Sequence, residues 1–210
     1  MLRRRQKHPV LAEVPVPGGA SRPGTLNRAS LDAYSKLAAS VAPSRAVLAT
    51  GPGKSSVALG VAAAGTAEGR RVALLECDLA SPTLAGRLGL SPQPGLHEYL
   101  RGEADTAEIL QSLVLAGPAS GGAGEPLVCV VAGEPETAPV ALLDSERCDR
   151  AIQDLRRAYD LLVIDGPPLT EDPDALQALA EHAGVSLACG ERGEIPKRLP
   201  IALTGIVLLK

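Results

Sequence analysis

The stretch Tyr159-Asp160-Leu161-Leu162-Val163-Ile164-Asp165-Gly166-Pro167-Pro168 sets four apolar residues directly before an aspartate and a Gly-Pro-Pro turn. A run so short and so apolar is the pattern of a strand buried on both faces of a sheet, and such strands belong to parallel α/β architectures. The aspartate then arrives at the rim of the sheet as a single carboxylate. Found alone, a buried strand ending in Asp is common to many α/β domains, so its meaning depends on what accompanies it.

Two other segments accompany it. Arg45-Ala46-Val47-Leu48-Ala49-Thr50 reads as a buried strand, and Gly51-Pro52-Gly53-Lys54-Ser55-Ser56 leads into the Ala-rich stretch Val57 to Ala67, which reads as a helix. Strand, glycine loop, Lys-Ser and helix are the parts of a phosphate site. Glycines let backbone N–H groups approach phosphate, the helix N-terminus adds partial positive charge, a lysine neutralises phosphate oxygens, and a serine hydroxyl reaches Mg²⁺. The next apolar run, Val72 to Leu75, ends in Glu76-Cys77-Asp78, and the i, i+2 spacing allows both carboxylates to point the same way.

In this order the segments resemble the bacterial tyrosine kinases that regulate capsule and exopolysaccharide export, a family within the deviant-Walker P-loop ATPases. The resemblance runs from about Leu31 to Lys210. Leu31 to Leu37 is similar to the helix entering the family's catalytic domain, and Asp78-Leu79-Ala80-Ser81-Pro82 with Gly95-Leu96 matches its second acidic strand and the helix after it. Val128 to Gly133 and Pro139 to Leu143 match the segment before the Walker B strand, and Asp165-Gly166-Pro167-Pro168 matches the turn after it. The resemblance implies ATP and Mg²⁺ as cofactors. It places Gly51, Gly53, Lys54, Ser55 and Ser56 on the nucleotide, Lys54, Asp78 and Asp165 in catalysis, and Ser55, Asp78 and Asp165 on the metal. Glu76 stands where the family has Asp.

The departures carry information of their own. A P-loop reads Gly-x-x-x-x-Gly-Lys-Ser/Thr, and counting back from Gly53 places Leu48 at the first glycine. Only Gly51, Pro52 and Gly53 separate the strand from Lys54, and Pro52 has no N–H. The plainer reading is an ordinary strand-to-helix turn with Lys54 a solvated first-turn lysine. The family's arginine after the strand Val185 to Cys189 is replaced by Gly190, with Arg192 displaced. Gly190, Gly193, Pro196 and Pro200 leave little room for a crossover helix before the strand Leu203 to Leu209, so one sheet face is expected to be thinly covered there. Tyrosines occur only at 34, 99 and 159, without the C-terminal cluster of autophosphorylating members.

Composition bounds the remainder. With 210 residues and 45% apolar content the chain suits a folded domain, and a net charge of −3 gives no reason to expect nucleic-acid binding. Residues 1–29, rich in Pro and Gly, read as a flexible leader before a domain spanning 30–210, and residues 117–126 as a pliable surface loop. Arg3, Arg4, Arg5 and Lys7 form a basic cluster suited to a solvated tail or to peripheral contact with an anionic membrane. No run suits a membrane span or a signal peptide, so a cytoplasmic location, at the inner face of the cell membrane, is expected. Cys77, Cys129, Cys148 and Cys189 read as small hydrophobes, and His8, His97 and His182 as surface histidines.

The fold expected is a three-layer α/β, P-loop NTPase-like domain with a mostly parallel sheet and helices on both faces. Three functions compete: an ATP-Mg²⁺-binding regulator of polysaccharide synthesis or export, a pseudo-enzyme interaction module with a decayed nucleotide site, and a partitioning or positioning ATPase. The resemblance implies a membrane polysaccharide chain-length or export protein as partner, and self-association.

Overall fold

Alternation of side chains across a pleated strand lets each apolar run feed two cores at once, and the chain uses this throughout. A computed structural model describes residues 8–15, 28–115, 125–169, 173–196 and 199–210. Its elements are β1 (Val10–Val14), α1 (Arg28–Val41), β2 (Ala46–Thr50), α2 (Lys54–Ala67), β3 (Val72–Glu76), α3 (Leu84–Leu88), α4 (Leu96–Arg101), α5 (Thr106–Ile109) and β4 (Gln111–Leu113). After these come β5 (Leu127–Val130), α6 (Val140–Leu143), α7 (Glu146–Ala158), β6 (Leu161–Asp165), α8 (Pro173–His182), β7 (Val185–Gly190) and β8 (Gly205–Leu209).

The strands form one sheet in the order β1-β8-β7-β2-β6-β3-β5-β4, parallel except for the β4–β5 pair at one edge. In β2, Val47 and Ala49 face one core with Val57, Ala58 and Val61 of α2, while Ala46 and Leu48 face the other with Ile152 of α7 and Leu176 of α8. Helices therefore cover both faces, and the three-layer α/β fold is as expected. On the first face α1 lies close to α2 because the Tyr34 ring sits over Gly60, where any Cβ would collide with it.

Two expectations change. Within the supposed leader, Val10–Val14 is a strand, β1, pairing in parallel with β8; Ile206 N–H donates to Pro9 O and Lys210 N–H to Val14 O. The thinly covered face is not thin. Among the described residues the β7–β8 connection has no helix, yet Ile201 is buried and Ile195, Leu199 and Leu203 pack on the core from irregular backbone. The basic cluster Arg3 to Lys7 and most of the 117–126 stretch lie outside the described residues. No described helix is long and apolar enough to cross a membrane.

Candidate functional site

Parallel strands send their carboxyl ends to one rim, and the order β7-β2-β6-β3 brings three of those ends together there. Lys54 opens α2 directly after β2, Asp165 closes β6, and Asp78 follows β3 by two residues. Lys54 Nζ lies 2.8 Å from Asp78 Oδ2 and 3.2 Å from Asp165 Oδ1. All three are nearly or wholly inaccessible, at 7%, 4% and 0% exposure. Lys54 is thus neither the solvated first-turn lysine of the plainer reading nor extended toward solvent. It is a buried cation held between two carboxylates remote in sequence.

The electrostatics follow from burial and pairing. Burial works against the Lys54 ammonium, but the Asp165 and Asp78 charges and hydrogen bonds outweigh it and leave its pKa above the ordinary value. At Asp165 burial is the larger effect and, with the nearby Glu76 charge, prevails over Lys54 and the Ser55 hydroxyl, pushing the carboxyl up to about 6. The asymmetry has a structural cause: the Asp165 side chain is wholly enclosed, whereas that of Lys54 keeps 8% of its surface at the rim. Asp165 Oδ2 has no hydrogen-bond partner.

The loop before Lys54 is closed upon its neighbours. Gly51 has φ +99°, and a Cβ there would run into the Cys189 carbonyl of β7, so only glycine fits. Gly53 N–H donates to that same carbonyl at 3.2 Å, and Lys54 N–H donates to Gly51 O at 3.1 Å. The Leu209 side chain of β8 packs on the Gly53 Cα where a Cβ would otherwise stand. A phosphate cradle requires several N–H groups converging on open space. Here Pro52 has none and the next two are spent internally, so Gly51 to Lys54 offer phosphate no converging set of N–H groups. Ser55, Asp78 and Asp165 offer the oxygen donors that Mg²⁺ prefers, but two carboxylates and a hydroxyl fall short of its octahedral shell without phosphate oxygens. Among the described residues no group of three His, Cys, Asp or Glu is placed to hold a metal.

Other expected site residues serve the frame. Ser56 Oγ accepts from Arg87 at 2.9 Å, joining α2 to α3. Glu76 does not join Asp78 at Lys54; β3 ends at Glu76, and its carboxylate is taken by backbone donors. Its Oε1 accepts from Thr83 N–H and Leu84 N–H at 2.6 and 2.8 Å, and Oε2 from Ala132 N–H at 3.0 Å. The extra methylene relative to Asp carries the carboxylate to these three donors. Glu76→Gln presents an NH₂ group to one of them, and unfolding in urea is expected to show a loss of about 2–3 kcal/mol; an unchanged midpoint would contradict this assignment.

Sequence reasoning missed a second polar cluster. His97 is buried rather than surface-exposed; its Nε2 lies 3.1 Å from Glu136 Oε2, which also accepts from Arg101 at 2.6 Å. Backbone N–H groups of Ala138 and Thr137, with Arg101 and His97, hold the Glu136 carboxyl down at about 2. These contacts fix the segment 136–138, and Glu136 N–H is bound to Leu79 O at 2.8 Å. Nothing in the sequence spacing pairs residues 97 and 136.

No protein-family model matches the chain. It is similar to the tyrosine-protein kinase Wzc of Salmonella typhimurium, 29% identical over 135 residues, which are 64% of this chain and 17% of that protein. It is similar to the tyrosine-protein kinase CpsD of Streptococcus pneumoniae serotype 4, 27% identical over 149 residues, 70% of this chain and 61% of that protein. The chain therefore spans less than two thirds of either relative. Its fold matches the kinase domain of the Escherichia coli tyrosine kinase ETK with a TM-score of 0.78 at 19% identity, covering 96% of this chain and 89% of that one.

Proposed function

The chain is a homologue of the bacterial tyrosine kinases, and from that premise we propose that it acts as a regulatory interaction module in capsule or exopolysaccharide synthesis or export, with its nucleotide site decayed. One observation carries this reading: the N–H groups of Gly53 and Lys54 are spent on Cys189 O and Gly51 O, and the Lys54 ammonium is already paired with both Asp78 and Asp165. Such a chain keeps the kinase shape, and with it a surface for a membrane polysaccharide chain-length or export protein, without transferring phosphate. Its place of action is the cytoplasmic face of the membrane, where such a partner presents its inner segments. Two of the three tyrosines support the same reading, since Tyr34 is fully buried and Tyr99 nearly so; Tyr159 is half-buried.

A second reading, an ATP-Mg²⁺ switch, draws on the unpartnered Asp165 Oδ2 beside Ser55. On that reading Lys54, Ser55, Asp78 and Asp165 bind and act on nucleotide, with Gly51, Gly53 and Ser56 supporting them. The two part company in the cell. If the chain is a module, its deletion alters polymer yield or length and Ser55→Ala complements fully, because the exchange costs only about 1 kcal/mol of folding stability. Failure of Ser55→Ala despite normal protein levels would favour the switch, and a deletion without polysaccharide effect would remove both. Incubation with Mg·ATP is expected to yield no phosphotyrosine.

A further inference from the structure

The rim opposite Lys54, where the parallel strands begin, collects arginines from three parts of the chain. Arg45 precedes β2, Arg70 and Arg71 precede β3, and Arg156 and Arg157 lie in the last turn of α7, which leads into β6. Arg45 and Arg70 each donate to a carbonyl of the turn before β6, Tyr159 O at 3.1 Å and Asp160 O at 3.2 Å, and Arg71 pairs with the Asp160 carboxylate at 2.8 Å. Three guanidinium groups thus gather on one turn that supplies a single carboxylate. Arg45 and Arg70 have no ion-pair partner among the described residues, and most of their N–H donors remain for other acceptors.

The same rim carries the two exposed large apolar side chains found among the described residues. Val10, 48% exposed, opens β1 at one margin; Val114, 69% exposed, follows β4 at the other, because the antiparallel β4 ends beside the start of β5. Five carboxylates share the rim, Glu68, Glu125, Asp154, Asp160 and Glu181, so its described part is neutral. Of the net charge of −3, residues 1–7 supply +4 and the remainder carries −7, which places the acid excess on the other surfaces. The leader charges belong to the arginine rim, since β1 begins there. From His8 back to Arg3 the chain extends up to about 17 Å, and the three strand spacings from β1 to β2 amount to about 14 Å.

Guanidinium groups set between two apolar margins suit a surface that is anionic at its headgroups and apolar beneath them. A soluble polyanion such as nucleic acid makes no use of Val10 and Val114, and the chain has no Phe or Trp on which bases would stack. We propose that the amino-end rim of the folded domain is a docking face for anionic phospholipid. Arg45, Arg70 and Arg156 take lipid phosphates, Val10 and Val114 enter the headgroup layer, and the Lys54 rim is turned away from the bilayer. The negative surface potential favours this orientation, because it draws in the leader and repels the acidic surfaces. The leader alone would tether the chain without orienting it; the rim does both. The inference rests on the proposed function only for the place of action at the membrane.

Co-sedimentation of the full chain with vesicles of phosphatidylglycerol and phosphatidylcholine tests it, with pure phosphatidylcholine vesicles as the reference. Binding is expected to the anionic vesicles alone and to weaken at high salt. The pair Arg45→Ser, Arg70→Ser should weaken it by about fivefold per arginine, and Val114→Asp should weaken it while melting with the parent chain, since position 114 is exposed. Because the chain contains no Trp, Val114→Trp serves as a reporter whose emission should shift to the blue on anionic vesicles. Glu134→Trp, at an exposed position beyond the carboxyl end of β5, should show no shift. Absence of vesicle binding, binding indifferent to Arg45, Arg70 and Val114, a blue shift at position 134, or equal affinity for duplex DNA overturns the proposal. Vesicle binding by a chain whose deletion leaves the polysaccharide unchanged would instead retire the proposed function and keep the docking face.

Discussion

Replacing Lys54 by methionine is expected to lower the unfolding free energy by about 3–5 kcal/mol at neutral pH, because it strips the counter-ion from two buried carboxylates. Methionine retains most of the lysine stem, so the loss reports charge rather than a cavity. The carboxylates it would abandon are only 4% and 0% exposed, so bulk water replaces little of the lost charge. Acid should reduce the defect, since a protonated Asp165 needs no cation and its pKa, already about 6 with Lys54 present, rises further without it. A lysine waiting for phosphate would behave differently. It would be solvated in the free chain, and removing it would change stability by no more than about 0.5 kcal/mol. Urea titrations of both proteins at neutral pH and near pH 5 distinguish the two cases.

Asp165→Asn is expected to change the pH dependence of stability more than any other single substitution at the rim. The parent carboxyl has an ordinary value of 3.8 and a folded value of about 6. Between the two, the native chain holds a proton that the unfolded chain has lost, so this group's contribution is fully present below 3.8 and disappears as pH rises through about 6. The gap corresponds to about 3 kcal/mol. Asparagine keeps an oxygen for Lys54 but cannot ionise. Relative to the parent, the variant should therefore gain about 3 kcal/mol on going from pH 3.5 to pH 7, whatever its absolute stability. Taking the difference between the two proteins cancels the other carboxylates, including Glu136 and Asp160, whose folded values lie low and whose effects have the opposite sign. A parallel pair of stability curves would contradict the burial argument.

The sheet was legible because its central strands are saturated with apolar residues. Ala46–Thr50, Val72–Glu76 and Leu161–Asp165 are buried at every position, and runs of that kind have few other places to go. β1 was hidden for the converse reason. It is a five-residue edge strand between Pro9 and Pro15, with Glu13 as its fourth residue, and prolines at an edge read as leader while costing no ladder bond. Its evidence lies in β8, which is too distant in sequence for periodicity to report. The irregular cover over β7 and β8 was missed similarly, since Ile195, Leu199, Ile201 and Leu203 pack without any helical period.

At the rim, residue types predicted the convergence of Lys54, Asp78 and Asp165, because each lies at or just after the end of a strand and parallel strands share their carboxyl ends. What the types could not show was the partner each group takes. Glu76 looked like a lengthened aspartate of the same site, and its extra reach instead binds backbone at Thr83, Leu84 and Ala132. The shortness of the Gly51-Pro52-Gly53 loop was visible at once. Its closure by Cys189 O and Leu209 depended on the relative placement of β7 and β8, which no local pattern encodes.

The central claim is that Lys54 is occupied from within, by Asp78 and Asp165, and that this corner holds no nucleotide. Thermal unfolding of the chain in excess Mg·ATP tests it most directly, since a ligand present at a hundred times its dissociation constant adds about 2.7 kcal/mol and raises the melting temperature by several degrees. The account predicts a melting temperature unchanged by Mg·ATP, by Mg·ADP or by Mg²⁺ alone. A saturable rise that requires Mg²⁺ and vanishes in Ser55→Ala would contradict it.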